Sequence, residues 1–261
     1  MRDKWLSELW RYRELFYFFA WRDIKIRYKQ TILGAAWAIL QPVITMFIFL
    51  FLFGRLAGIP TNGTPPVLFY YAALVPWIYF SSTLAMCSNS LVGNVNLLTK
   101  VYFPRAILPA ATALGGLVDL AIASIILLGM MLYYRVAPGW ELIMWPFLAA
   151  LLMVFTSGLG MLLAAMTVKY RDVKYALPFV VQLGLFITPV IYPITFVPAR
   201  FRVWMQFNPL AGIIEAFRAT ISGEQQFPWQ SLGVSVVLTL VTLVIGFLYF
   251  VRTERSFADI V

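Results

Sequence analysis

Six long apolar stretches divide this chain of 261 residues and constrain its fold more than any other feature. They comprise residues 33–54, 67–87, 107–134, 142–168, 176–197 and 231–251. Roughly 20 apolar residues in a helix suffice to cross the hydrocarbon core of a bilayer. Asp119 is the only charged residue in the six stretches, so a soluble fold would lack polar faces to meet water. The sequence therefore predicts an all-α polytopic membrane protein with six transmembrane helices.

The composition excludes several classes of function. The chain is 62% hydrophobic and 12% charged, which leaves no room for a soluble catalytic domain. With one cysteine, Cys87, and no histidine, it has no intrachain disulfide, histidine catalysis or metal cluster. It also lacks a phosphate-binding loop and a nucleophile elbow. We expect a protein that is not an enzyme and that binds no cofactor or metal itself.

The basic residues indicate an orientation rather than a nucleic-acid partner. The net charge is +9, but the cations are scattered and do not form a basic stripe with stacking groups. If the N-terminus is cytoplasmic, the inside segments hold 15 Lys and Arg residues and the outside segments hold 5. The positive-inside rule favours this arrangement, with both termini in the cytoplasm.

Residues 1–32 read as an amphipathic helix at the cytoplasmic membrane surface, and residues 254–261 as a short cytoplasmic tail. Aromatic and apolar residues recur at helical spacing from Trp5 to Phe19, with cations elsewhere on the helix. This pattern suits a helix in the inner headgroup layer. Such a helix serves either as a simple anchor or also as part of a docking surface for a cytoplasmic partner.

Prolines interrupt the first stretch and the outer end of the fifth. Gln41-Pro42 lies in the first, and Pro189, Pro193 and Pro198 break the outer end of the fifth. Each proline frees a backbone carbonyl, which membrane proteins tolerate where protein or water can satisfy it. The fifth stretch therefore suits a cavity wall or gate, although a packing kink explains the same pattern.

The outer segment 199–230 is too charged to span a membrane and too apolar for a solvated loop. Asn208 can cap a second short helix that begins at Pro209 and is closed by Gly223. We expect a re-entrant hairpin of two short helices that dips into the outer leaflet. Its candidate gate residues are Trp204, Asn208, Pro209, Leu210, Ile213 and Phe217.

Two inner loops and one buried acid remain open to two interpretations each. The loops 89–105 and 169–174 either present a surface to a partner or are solvated loops with snorkelling cations. Asp119 is a candidate proton relay because ionisable groups in membranes are costly. The alternative is a polar lumen residue, or a carboxyl group hydrogen-bonded to a Thr, Asn or Tyr of a neighbouring helix, since no other stretch contains a cation.

Aromatic residues make up 17% of the chain, and several fall within the apolar stretches. Aromatic faces can stack on sugar rings without requiring one fixed orientation, which suits a polymer that slides past them. The ordinary explanation is a belt of aromatic residues at the lipid headgroups. The candidate channel or substrate residues are Trp37, Tyr79, Phe80, Tyr192 and Phe196.

Three ordered motifs resemble one family over nearly the whole chain. They are RDIKIRYKQ at 22–30 followed by LGAAW at 33–37 and Gln41-Pro42; YRDV at 170–173 followed by LPF at 177–179 and PVIYP at 189–193; and NPLAGIIEAFR at 208–218. Together they resemble the permease subunits of type 2 ABC exporters, in the polysaccharide branch that exports O-antigen. The corresponding type 2 transmembrane domain would cover residues 33–253.

This resemblance implies a homodimeric permease in the bacterial inner membrane, with two copies of a separate ATP-binding subunit that holds ATP and Mg²⁺. It also implies site residues. Coupling to the ATPase would fall on Asn96, Leu97, Lys100, Val101, Phe103, Arg105, Tyr170, Arg171 and Asp172, with an apolar plug of Leu97, Val101 and Phe103. The outer gate would fall on residues 199–222, and Arg22, Lys25 and Arg27 would contact the lipid diphosphate, although anionic lipid would select the same cations.

The expected cargo is an undecaprenyl-diphosphate-linked polysaccharide. Related permeases leave open teichoic acid, capsule or a small amphipathic compound. A membrane enzyme acting on lipid-linked sugars is the alternative from another class, and it would need a clustered carboxylate pair at one interface, which the sequence does not contain.

Overall fold

The computed structural model describes residues 11–29, 36–100, 103–137, 139–170, 172–221 and 227–254, except for the side chains of Asn96 and Thr99. Its α-helices are α1 (Arg13–Lys29), α2 (Ala36–Phe49), α3 (Pro66–Asn89), α4 (Val95–Lys100), α5 (Ile107–Tyr133), α6 (Trp145–Lys169), α7 (Val173–Ile187), α8 (Ala199–Gln206), α9 (Pro209–Ala219) and α10 (Trp229–Glu254). A π-helical segment, Leu50–Leu56, continues α2, and 3₁₀ turns occur at Val92–Asn94, Trp140–Met144 and Ile194–Phe196.

Among the described residues, five helical segments are long and apolar enough to cross a membrane. They are Ala36–Leu56, Pro66–Asn89, Ile107–Tyr133, Trp140–Lys169 and Trp229–Glu254, in agreement with five of the six apolar stretches. The chain is therefore a multi-pass membrane protein with an all-helical architecture in its described residues.

The fifth apolar stretch differs from its prediction. Instead of a span over 176–197, α7 has 15 residues and ends at Ile187, so at 1.5 Å per residue it is about 22 Å long. Thr188 adopts an extended backbone (φ −86°, ψ 141°), because a residue before proline is disfavoured in the helical region. The chain beyond it, through Pro189 and Pro193, is largely irregular.

Helix α3 forms the centre of the bundle. It contacts α2, α5, α6, α7 and α9, and its side chains dominate the main hydrophobic core. Tyr70 and Tyr71 are fully buried there, and the Tyr71 hydroxyl donates to the Ala123 carbonyl at 3.3 Å. A helix that is apolar all round belongs in such a central position.

Contacts between helices define two ends of the bundle. At the α9 end, the Trp145 indole donates to Thr220 at 2.6 Å, and the rings of Trp140 and Trp229 stack 6.4 Å apart. At the opposite, α4 end, the hydroxyls of Ser88 and Thr167 lie 2.9 Å apart. Helix α7 begins just after α6 finishes at the α4 end, whereas α10 begins at the α9 end, so the intervening chain runs from one end to the other.

Small residues allow α6 and α10 to pack backbone to backbone. A Cβ atom on Gly158 would lie 2.6 Å from the Cα of Leu243, and one on Gly246 would overlap the Gly158 carbonyl oxygen. Close approach at small residues is a common mode of helix association in membranes. The pair fixes α10 against α6 along the middle of the bundle.

The two short helices predicted around Asn208 are present as α8 and α9. The Asn208 side chain accepts a hydrogen bond from the Leu210 amide at 3.1 Å and donates to the Thr188 hydroxyl at 2.9 Å. This confirms the N-cap, with Pro209 at the first helical position. Helix α9 ends at Ala219, and Gly223 lies outside the described residues.

Candidate functional site

Helix α1 packs lengthwise along the first half of α5. The Phe19 and Phe103 rings lie 5.5 Å apart, and the Thr112 hydroxyl donates to the Asp23 carboxylate at 2.9 Å. The contact continues to Asp119, twelve residues into α5, which is about 18 Å along the helix axis. Helix α1 therefore does more than lie at one surface, because its last turn reaches the middle of a spanning helix.

The last turn of α1 supplies the polar partners of Asp119. Arg27 forms an ion pair with one carboxylate oxygen, and the Tyr28 hydroxyl donates to the other. Both charged side chains are about one-fifth exposed, at 18% for Arg27 and 23% for Asp119. The sequence interpretation of a carboxyl group bonded to a neighbouring tyrosine is consistent with this contact, but it did not foresee a cation from the N-terminal helix.

The three cations of α1 predicted to act together are separated. Arg27 faces α5, whereas Arg22 forms an ion pair with Asp23 at 2.9 Å. Lys25 is exposed, with its ammonium 5.5 Å from the centre of the Trp21 ring. The helical spacing explains the separation, because positions 22 and 25 share one face and position 27 lies on another.

A cavity of about 250 Å³ opens beside the Arg27–Asp119 pair, between α1, α2, α3 and α5. Polar side chains and aromatic rings share its walls. Its lining residues include Arg27, Tyr28, Trp37, Gln41, Pro42, Tyr79, Ser82, Met86 and Asp119. We call this the entry cavity.

The proline in α2 shapes one wall of the entry cavity. Pro42 lies inside α2 and cannot donate a hydrogen bond to the Ala38 carbonyl, four residues before it. Both residues line the cavity, beside Gln41 and the half-exposed ring of Trp37. The cavity thus combines a cation, an amide, a half-exposed aromatic ring and a backbone carbonyl that lacks its helical hydrogen-bond donor.

The predicted channel aromatics occupy three separate places. Trp37 and Tyr79 line the entry cavity, where the Tyr79 hydroxyl donates to the Ala113 carbonyl at 2.8 Å. Phe80 is instead buried and stacks on Phe155 at 5.7 Å.

Tyr192 and Phe196 lie at the α9 end, with ring centres 6.5 Å apart. Tyr79 and Phe80 are almost fully buried because α3 is the central helix. The five candidate residues therefore do not share one surface of this chain.

The structure also corrects the proposed apolar plug of the coupling loop. Phe103 is 4% exposed and packs against Phe19 within this chain, so it is not presented to a partner. Arg105 donates to Glu254 through its backbone amide and its guanidinium, at 3.1 and 3.2 Å. These two contacts tie the segment before α5 to α1 and α10.

The other coupling candidates lie at or near the α4 end. Lys100, Tyr170 and Asp172 are exposed, and Leu97 is partly buried against a second hydrophobic cluster. Asn96 lies in α4, but its side chain is among those not described; Val101 and Arg171 also lie outside the described residues.

The predicted gate face divides into a buried part and an exposed part. Leu210, Ile213 and Phe217 are buried in the main core, where Phe217 meets the Trp145 ring edge-on at 5.1 Å. Trp204, on α8, is 73% exposed, and Pro209 is half-buried between them. Trp204 and the three buried residues therefore do not form one surface facing an open path.

Sequence reasoning missed the role of Arg218. Its guanidinium is buried, donates to the carbonyls of Val190 and Tyr192 at 2.9 and 3.4 Å, and lies 3.8 Å from the centre of the Phe69 ring. The carbonyls belong to the proline-rich segment after α7. A basic residue in an apolar helix beside such a segment is the signal that could have indicated this contact.

Several proteins of named function resemble this chain over most of their length. An O-antigen export system permease protein RfbA from Myxococcus xanthus is 28% identical over 217 residues, or 82% of each chain. One from Klebsiella pneumoniae is 24% identical over 92% of each chain. A polysialic acid transport protein KpsM from Escherichia coli is 26% identical over 89% of this chain and 91% of its own.

A family model settles the broader relationship. The model for ABC-2 type transporters matches residues 14–222, which include α1 to α9 and therefore both the entry cavity and the helices around Asn208. The packing of α1 along α5 thus lies within the matched region, and the chain belongs to the ABC-2 type transporter family.

Proposed function

We propose that this chain is the membrane subunit of an ATP-driven exporter that moves an undecaprenyl-diphosphate-linked polysaccharide of the O-antigen type. It works as a homodimer, with both termini in the cytoplasm and with six crossings. After α6 and before α10, the chain passes from the α4 end of the bundle to the α9 end. This supports the sixth crossing. The names of the similar permeases support the cargo.

The entry cavity carries this proposal. A diphosphate linked to a glycan and a lipid needs a cation, hydrogen-bonding groups and an apolar wall at one place. Arg27, Gln41 and Trp37 supply these three features. A guanidinium suits phosphate because its planar fork of N–H donors matches the phosphate oxygens.

The energy comes from two copies of a separate ATP-binding subunit that hold ATP and Mg²⁺. The sequence has no phosphate-binding loop of its own. We place the contact at the α4 end, where Lys100, Tyr170 and Asp172 are exposed. Phe103 contributes indirectly, because its packing on Phe19 holds the loop against α1.

The outer gate belongs to α8 and its joint with α9. Because Ile213 and Phe217 are core residues, opening moves α8 and the exposed Trp204 about Asn208-Pro209 rather than unpacking α9. Hinges commonly occupy such positions at the ends of elements.

Deletion of the gene in its host tests the cargo. We expect lipid-linked glycan to accumulate inside the cell and surface glycan to disappear. A plasmid copy should restore export, as should a copy with Lys29→Gln, which changes an exposed cation of α1, whereas Arg27→Gln should not. Normal surface glycan in the deletion strain would refute the proposal.

A small amphipathic compound is the second candidate cargo. A groove of about 570 Å³ between α3, α6 and α7 has almost entirely apolar walls, including Trp77, Phe80 and Leu183. Such a surface suits a flexible apolar ligand. Accumulation of a labelled drug in the deletion strain, with unchanged surface glycan, would favour this candidate.

A further inference from the structure

A second polar cavity, of about 430 Å³, lies at the α9 end of the bundle. Its volume falls within the range of roughly 300–1,000 Å³ that is typical of small-molecule sites. The segment after α7, the two short helices, the loop before α3 and the start of α10 all contribute to its walls. The described polar side chains that line it are Asn62, Thr195, Arg202, Gln206, Glu215, Arg218 and Ser231.

The walls of this α9 cavity are fixed before any ligand binds. Arg202 donates to the carbonyls of Val197 and Thr195, both at 2.7 Å. The Asn62 amide donates to the Thr195 hydroxyl at 3.0 Å and so connects the loop before α3 to the same segment. Pre-ordered polar groups lose little conformational entropy when a ligand binds, which favours binding.

The fixed groups still offer hydrogen bonds to a ligand. A guanidinium has five N–H donors, and the two described contacts of Arg202 use only two of them. Gln206 is exposed at the rim and adds a donor and an acceptor. Glu215 also lines the cavity, and a carboxylate has about four acceptor sites.

The charged groups of the cavity provide both hydrogen-bond donors and acceptors. The half-buried Glu215 carboxyl group shares the cavity with the guanidinium groups of Arg202 and Arg218. Burial raises the pKa of Glu215 to about 7, so near neutral pH this group both donates and accepts. Closely spaced donors and acceptors match vicinal hydroxyl groups, each of which also donates and accepts.

We propose that the α9 cavity is a saccharide-binding site that takes a single sugar unit of the exported glycan. This inference rests on the proposed function for the identity of the glycan. Its size excludes a whole polymer, so the site holds one unit of the chain as that unit passes the α9 end. A bound sugar bridges Asn62, Gln206 and Glu215, and thereby connects α8 to the loop before α3.

Saturation-transfer NMR on the purified permease–ATPase complex tests the site. The probe is a set of oligosaccharides released by mild acid from the polysaccharide of the host's own surface. We expect saturation transfer to the probe from the native complex, and affinity about tenfold lower or worse in Gln206→Ala and Glu215→Ala, because each loses hydrogen bonds to the ligand. Glu141→Ala, a matched change outside the cavity near the same end, should bind like the native complex.

Two results would overturn the inference: equal binding of the probe by the native complex and both cavity variants, or displacement of the probe by millimolar inorganic phosphate. The first would place the sugar elsewhere, and the second would indicate an anion site. The deletion strain separates this inference from the proposed function. Loss of surface glycan in that strain without probe binding at the cavity refutes only the saccharide site, whereas normal surface glycan refutes the proposed function.

Discussion

The contact of Arg27 and Tyr28 with Asp119 connects the N-terminal helix to the middle of the bundle. An acid at that depth is costly unless it is paired. The pairing explains how α5 tolerates its one charged residue. In the proposed function, an incoming diphosphate would share Arg27 with Asp119, so its binding would loosen α1 from α5.

Removal of one partner of this ion pair should destabilise the protein more than removal of both. Because the pair is partly buried, we expect Arg27→Gln to cost roughly 1–3 kcal/mol, between the values for exposed and buried pairs. Arg27→Gln with Asp119→Asn should recover part of that loss, and Lys29→Gln should change little. Thermal unfolding of five purified proteins (native, Arg27→Gln, Asp119→Asn, the double variant and Lys29→Gln) measures the coupling, and strictly additive effects of the two single changes would contradict the pairing.

Glu215 should make the stability of the protein depend on pH. Burial raises its pKa to about 7 in the folded state, above the value of roughly 4.3 for a free glutamate. The folded state therefore binds the proton more tightly, and stability falls as the pH rises from about 4.5 to 7. Arg202 and Arg218 are the cations that oppose this shift.

Melting temperatures between pH 5 and pH 8 test the role of Glu215. We expect the native protein to lose stability across this range and Glu215→Gln to lose much less. Glu141→Gln should behave like the native protein. The same slope in all three would show that another group titrates.

At the scale of elements, the proline-rich segment after α7 is held by side chains of the two short helices. The breaks in the helix leave carbonyls of this segment without helical donors. Arg218 and Arg202 donate hydrogen bonds to four of these carbonyls, between Val190 and Val197. Asn208 adds a bond to Thr188. In this structure, therefore, the segment is hydrogen-bonded to both α8 and α9.

A lysine cannot replace Arg218 in its contacts with this segment. Arg218→Lys keeps the charge but loses the planar fork that reaches two carbonyls and stacks on Phe69. We expect faster hydrogen exchange of the amides in 190–197 and a lower melting temperature. Arg200→Lys, at an exposed position of α8, is the control, and unchanged exchange in Arg218→Lys would mean that the segment is held by other contacts.

At the scale of the whole molecule, the sequence predicted those features that depend on local pattern. Five of the apolar stretches and the cap at Asn208 follow from hydropathy and capping rules, and the structure confirms them. The shortened α7 could have been predicted from Pro189, because the residue before a proline leaves the helical region. Hydropathy alone counts residues and ignores this effect.

Contacts between distant segments could not be predicted in the same way. An exposed and a buried aromatic residue have the same hydropathy, so Phe103 and Phe80 were assigned to surfaces although both belong to the core. Similarly, the sequence places Arg27 on α1 but does not indicate that α1 runs along α5. Only the packing of the helices brings that cation to Asp119 and to the entry cavity.

Transport by a purified system tests the central claim most directly. Proteoliposomes would contain this chain, its ATP-binding partner and undecaprenyl-diphosphate-linked glycan, and a lectin would detect glycan that has crossed the membrane. We predict transfer that requires ATP, falls at least about tenfold in Arg27→Gln, as expected for a lost charged contact, and is unchanged in Lys29→Gln. ATP hydrolysis by the native complex without any transfer of glycan would contradict the account.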